Sequence, residues 1–241
     1  MKLLHNIIVS TFLFATAGSA YAVPTTDFKA LADGSVYGES GYSSLNIGIM
    51  SVTATKDSSS AFAYLDRNKA GLGVCGNVPD DGPQGNSGSN KCRNLSDTGE
   101  AAGDDNVTTG ETLSFSFSQA VKITSIWFNN NHDPDRSLVG DTIDIGGDNY
   151  LFSASDFDAS RSSGDGTLSD AVAKRNADFL YDVDIFLGKD VSFDISFYDG
   201  DDLRGDQFYI SAIEFETVPE PGMLALLSVG LIGLVAARRR M

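Results

Sequence analysis

Glu111-Thr-Leu-Ser-Phe-Ser-Phe-Ser118 decides the fold. Leu113, Phe115 and Phe117 alternate with Thr and Ser, so one face of the segment would be dry and the other wet. Working outward, Val121, Ile123, Ile126 and Phe128 continue the period of two, with an offset at Thr124-Ser125 that fits a bulge. Upstream, Leu45, Ile47 and Ile49 alternate with polar or small residues. Downstream come Val183, Ile185 and Leu187, then Val191, Phe193, Ile195 and Phe197, then Phe208, Ile210, Ile213 and Phe215. Turns rich in Gly, Asp, Asn and Ser divide these runs. Six or more half-buried strands predict an all-β fold, with two antiparallel sheets packed as a jelly-roll-like β-sandwich. Only Leu168 to Leu180 carries a helical pattern. No repeat of about 20–50 residues recurs, which argues against a solenoid or propeller.

The chain of 241 residues holds 17 Lys and Arg against 33 Asp and Glu, a formal net charge of −16. Its hydrophobic share of 41% is enough to build a core. Asp supplies 27 of the 33 acids. Asp forms turns well and helices poorly, so this bias also points to strands joined by acidic loops. The acid excess argues against nucleic-acid binding, which needs basic patches that release counterions. It equally disfavours adsorption to an anionic membrane surface.

The two ends read as addresses. Residues 1–22 have the layout of a secretory signal peptide: Met1-Lys2, an apolar run from Leu3 to Ala17, and an Ala20-Tyr21-Ala22 cleavage site. Its removal would start the mature chain at Val23. At the other end, Pro219-Glu220-Pro221 precedes an uncharged apolar stretch from Gly222 to Ala237, followed by Arg238, Arg239 and Arg240. That stretch has 16 residues, slightly short of the ~20 that comfortably span a bilayer. It predicts a single transmembrane helix with the arginines on the cytoplasmic side.

Tripeptide, short span and basic tip together resemble the PEP-CTERM sorting signal of Gram-negative bacteria that make exopolysaccharide. The resemblance covers about residues 218–240. It implies an exosortase as partner, a membrane transpeptidase-like enzyme that removes the tail near the Pro-Glu-Pro. Three segments follow: signal peptide 1–22, ectodomain 23–217 and sorting signal 218–241. Without both ends, 13 basic residues face 32 acids, so the body carries −19. A looser resemblance links the body to a recurring PEP-CTERM ectodomain. It rests on Ala63-Tyr-Leu-Asp-Arg67, Gly71-Leu-Gly-Val-Cys75, Asp104-Asp-Asn-Val-Thr108 with Gly110-Glu111, and Phe128-Asn129 with His132. It implies the fold class and no reaction.

Cys75 and Cys92 are the only cysteines and bracket a polar stretch, 76–91. Export would place them in an oxidising compartment, where a pair bonds. A loop of this length would be worth about 3 kcal/mol in the chain-entropy model. The rival is two free thiols or half a metal site, which no nearby Cys or His completes.

Catalytic signatures are sparse. His132 is the one histidine outside the signal peptide, and no Gly-x-Ser-x-Gly elbow, His-Glu-x-x-His or phosphate-binding loop accompanies it. Trp127 lies in an apolar run and reads as packing. Asp133, Asp135, Ser137, Asp141 and Asp144 imitate the spacing of an EF-hand loop, but Leu138 stands where that loop needs Gly. Calcium takes hard oxygens, and Asp104, Asp105, Asp199, Asp201 and Asp206 are the candidates to supply them. Solvated acidic turns explain the same residues. The expected function is therefore a non-catalytic, exported component of the cell envelope or extracellular matrix that binds polysaccharide or calcium. The alternative is a secreted glycan hydrolase working through a carboxylate pair.

Overall fold

The computed structural model describes residues 25–34, 37–78, 92, 105–129, 138–158, 178–198, 207–219, 229–230 and 238. The expected signal peptide therefore lies outside the described residues. So does most of the expected transmembrane segment, of which Val229 and Gly230 are helical, as is Arg238 beyond it. Among the described residues no helix is long and apolar enough to cross a membrane.

The chain opens with β1 (Thr25–Asp27) and a short helix α1 (Phe28–Asp33), capped by Asp27 accepting from the Ala30 N–H. Two short strands follow, β2 (Ser40–Tyr42) and β3 (Leu45–Ile47). Next come β4 (Met50–Lys56), β5 (Ser59–Asp66) and β6 (Gly71–Cys75). The middle of the chain supplies β7 (Glu111–Phe117), β8 (Val121–Asn129), β9 (Thr142–Ile145) and β10 (Asp148–Leu151). The last three are β11 (Asp178–Leu187), β12 (Ser192–Tyr198) and β13 (Tyr209–Thr217).

All pair antiparallel in one curled sheet; ten follow the order β10-β9-β12-β7-β4-β5-β6-β13-β8-β11, while β1 pairs with β13, β2 with β5 and β3 with β4. The β-rich, antiparallel expectation is met, and the ladder is continuous. β5 carries it through, because its Ser59–Ala61 end pairs with β4 and its Phe62–Asp66 end with β6. The sheet curls on itself. Three strands lie between Phe117 of β7 and Phe215 of β13 in the order, yet their rings meet at 5.0 Å.

Alternation located β7, β8, β12 and β13 well. On β7, Leu113, Phe115 and Phe117 are buried while Thr112, Ser114 and Ser116 are half-exposed. The offset at Thr124 is a bulge: Ser125 and Ile123 pair with consecutive β13 residues, Glu214 and Phe215. A second shift between Ile210 and Ala212 turns Ser211 inward and explains the three-residue step from Ile210 to Ile213. Two expectations are corrected. Leu45 to Ile49 is not one strand, because the chain reverses at Gly48, whose φ of 60° suits glycine. Leu168 to Leu180 does not end as a helix, because Asp178–Leu180 opens β11.

Phe128 is the hub of one end of the core. Its ring meets Phe152 at 5.6 Å, Tyr181 at 5.8 Å and Phe208 at 5.4 Å, all edge-on. Phe128→Ala should lower stability by about 3–5 kcal/mol, measured by urea unfolding. Phe186→Ala, at a ring 65% exposed beside Lys122, should cost less than about 1 kcal/mol.

Candidate functional site

The outward face of β4, β7 and β12 is built almost wholly from short polar side chains. Register places them in rows: Ser51–Ser116–Ser192, Thr53–Ser114–Asp194 and Thr55–Thr112–Ser196. β9 extends the last row with Asp144, paired with Ser196. Directly opposed residues in such a ladder stand about 4.5–5.5 Å apart. In the middle row Ser114 donates to Asp194 at 2.5 Å.

The last row ends in a polar cleft of about 370 Å³. Thr55, Asp57, Ser58, Glu111, Thr112 and Phe197 are among the residues that line it. Its wall is the β4–β5 turn, where Asp57 and Ser58 both adopt left-handed backbone (φ 49° and 63°), as a tight two-residue hairpin requires. Asp57 N–H donates to the Gly110 carbonyl at 2.8 Å, pinning the turn to the start of β7. Glu111 is buried, and both its oxygens are engaged. Oε1 accepts from Lys56 Nζ at 2.9 Å, and Oε2 accepts from the Thr108 N–H and hydroxyl at 2.9 and 3.0 Å. Among the described residues, no hydrogen bond occupies the hydroxyls of Thr55, Ser58, Thr112 or Ser196.

A second polar cluster lies beneath β6. Tyr209 is fully buried, with its Oη 3.2 Å from Asp66 Oδ2 and 3.0 Å from Asp105 Oδ1. Burial, then the two carboxylates, pushes its phenol well above the ordinary range. Tyr64, whose hydroxyl lies 3.4 Å from Glu39, is raised chiefly by burial as well, as is Tyr181 beside Asp156. Gly73 permits this arrangement, since a Cβ there would stand 1.9 Å from the Asp105 carbonyl oxygen.

Of the calcium candidates, only Asp105 is among the described residues, and its carboxylate serves Tyr209. Asp104, Asp199, Asp201 and Asp206 lie outside them, as do Asp133, Asp135, Ser137 and His132. Among the described residues no three His, Cys, Asp or Glu side chains are placed to hold a metal ion. Trp127 packs in β8 and donates to Asp158 at 2.9 Å. Cys75 and Cys92 form a disulfide with Cα atoms 5.7 Å apart. Pro219 is exposed two residues after β13, while Glu220, Pro221, Arg239 and Arg240 lie outside the described residues.

The hydroxyl rows were missed by sequence reading. Ser and Thr at alternate positions signal only the wet face of a strand. That three such faces fall in register is a property of the ladder.

Residues 217–240 match the PEP-CTERM protein-sorting motif. The motif implies an exported bacterial protein of the cell envelope that an exosortase processes. No curated protein and no solved structure matches the chain.

Two outcomes are expected. Tyr64, Tyr181 and Tyr209 should stay protonated in an alkaline absorbance titration until the protein unfolds. A phenol with a raised folded pKa contributes stability that is whole below its unfolded value of about 10 and is lost as pH climbs through the folded value. Alkylation without reductant should leave both cysteines unlabelled, and Cys75→Ser with Cys92→Ser should cost about 3 kcal/mol on thermal or urea unfolding.

Proposed function

We propose that this protein is a non-catalytic component of the envelope or extracellular matrix of a Gram-negative bacterium, displayed at the outer surface and associated with polysaccharide. The observation that carries the reading is the sorting motif, which begins at Thr217, the last residue of β13. The folded body and its address are thus joined without a linker. Val218 N–H still donates to the Ala120 carbonyl at 2.8 Å. A body with a charge of −19 stays soluble and self-repelling in a crowded matrix.

The non-catalytic part of the reading is supported by Glu111. A general acid must present a transferable proton to substrate. Glu111 sits at the cleft, but an ammonium, a backbone N–H and a hydroxyl already donate to it.

Mass spectrometry of the exported protein tests the reading. The chain should begin at Val23 and lack the tail beyond the neighbourhood of Pro219. Replacing Arg238, Arg239 and Arg240 by Ala should leave the tail attached. A mature wild-type protein that retains Arg238–Arg240 would overturn the sorting assignment.

A further inference from the structure

We infer that the cleft at the β4–β5 turn, with the hydroxyl row Thr55, Thr112 and Ser196 that runs from it, binds a segment of uncharged glycan. This rests on the polysaccharide reading above and adds the site and the ligand class. The row offers three neighbouring hydroxyls, each able to donate and accept. None is occupied by a hydrogen bond among the described residues. A chain of sugar rings carries hydroxyls of the same dual character at comparable intervals, so pairs of bonds can form along the row. Asp57 supplies a carboxylate acceptor at the cleft.

Other ligand classes fit less well. An extended peptide adds to a free sheet edge, but β4, β7 and β12 are each paired on both sides. A metal ion needs several anionic oxygens, and Glu111 has none to spare. An acidic glycan would meet Asp57, Asp144 and Asp194 on the same face. Lys56 offers it no free cation, being held by Glu111 at 2.9 Å. The selectivity is therefore built by repulsion as much as by attraction.

Affinity electrophoresis of the exported protein tests this on gels containing neutral glucans, mannans and galactans, with alginate and hyaluronate as anionic counterparts. At least one neutral polymer should retard the protein, and neither anionic polymer should. Thr112→Val with Ser196→Ala removes two hydroxyls while keeping residues the strand tolerates. It should weaken retention about tenfold, the scale of one or two lost hydrogen bonds. Ser116→Ala, in the far row, should leave retention unchanged, and matching thermal melts would show both variants folded. Retention of wild type and the double variant alike by a neutral polymer would overturn the site. Retention by the anionic polymers alone would overturn the ligand class. Either result leaves the polysaccharide reading standing, whereas no retention by any polymer overturns both.

Discussion

One strand serving two neighbourhoods is the constraint on which the rest of the body depends. Between Ala61 and Phe62, β5 exchanges β4 for β6 as its hydrogen-bonding partner. The sheet turns through the exchange and curls, with β2 pairing along the same end of β5 as β6. Alanines sit where the turn is made: Ala54 opposite Ala61, and Ala63 two residues further along β5. Curling brings Phe117 onto Phe215, and Phe197 of β12 to within 6.5 Å of Phe208. A flat sheet would leave those rings wet, and each buried Phe is worth roughly 1.5–3 kcal/mol.

Bulges supply the second accommodation. Because Ser211 is turned inward, a polar group enters the core and must be satisfied there. Asn129 donates to Ser211 Oγ and to the Ala70 carbonyl, each at 2.6 Å, and Ser211 donates to Asp178. Asp178 is fully buried and takes its counter-charge from Lys29 on α1 at 2.5 Å. The network ties α1, β8, β11 and β13 together. Its net worth is small beside its directional demands, since a buried ion pair roughly repays its own desolvation.

How much of this was legible varies with what each residue type reports. Large apolar residues at alternate positions report a strand directly, which is why β7, β8, β12 and β13 could be placed from Leu113, Phe128, Ile195 or Phe215. β4 and β5 are built from Ser, Thr, Ala and a few larger residues, whose burial depends on neighbours that the local pattern does not contain. The hairpin at Gly48 hid inside an alternating run because a two-residue reversal preserves the apparent period. Whether the strands form one sheet or two depends on the partner exchange in β5, a long-range fact. The disulfide followed from a count of two cysteines and a compartment. The cleft is different again: Thr55 and Ser196 are 141 positions apart, with Thr112 between them, and the three become neighbours only through register.

The direct join between β13 and the sorting motif also governs how the body bears a load. β13 matches β8 over eight registered pairs and holds β1 on its other side over three. A pull along the strand axis strains those bonds together in shear. Peeling them one at a time would require a force across the ladder. Under a load along the strand, the attachment behaves as a lap joint rather than a zip.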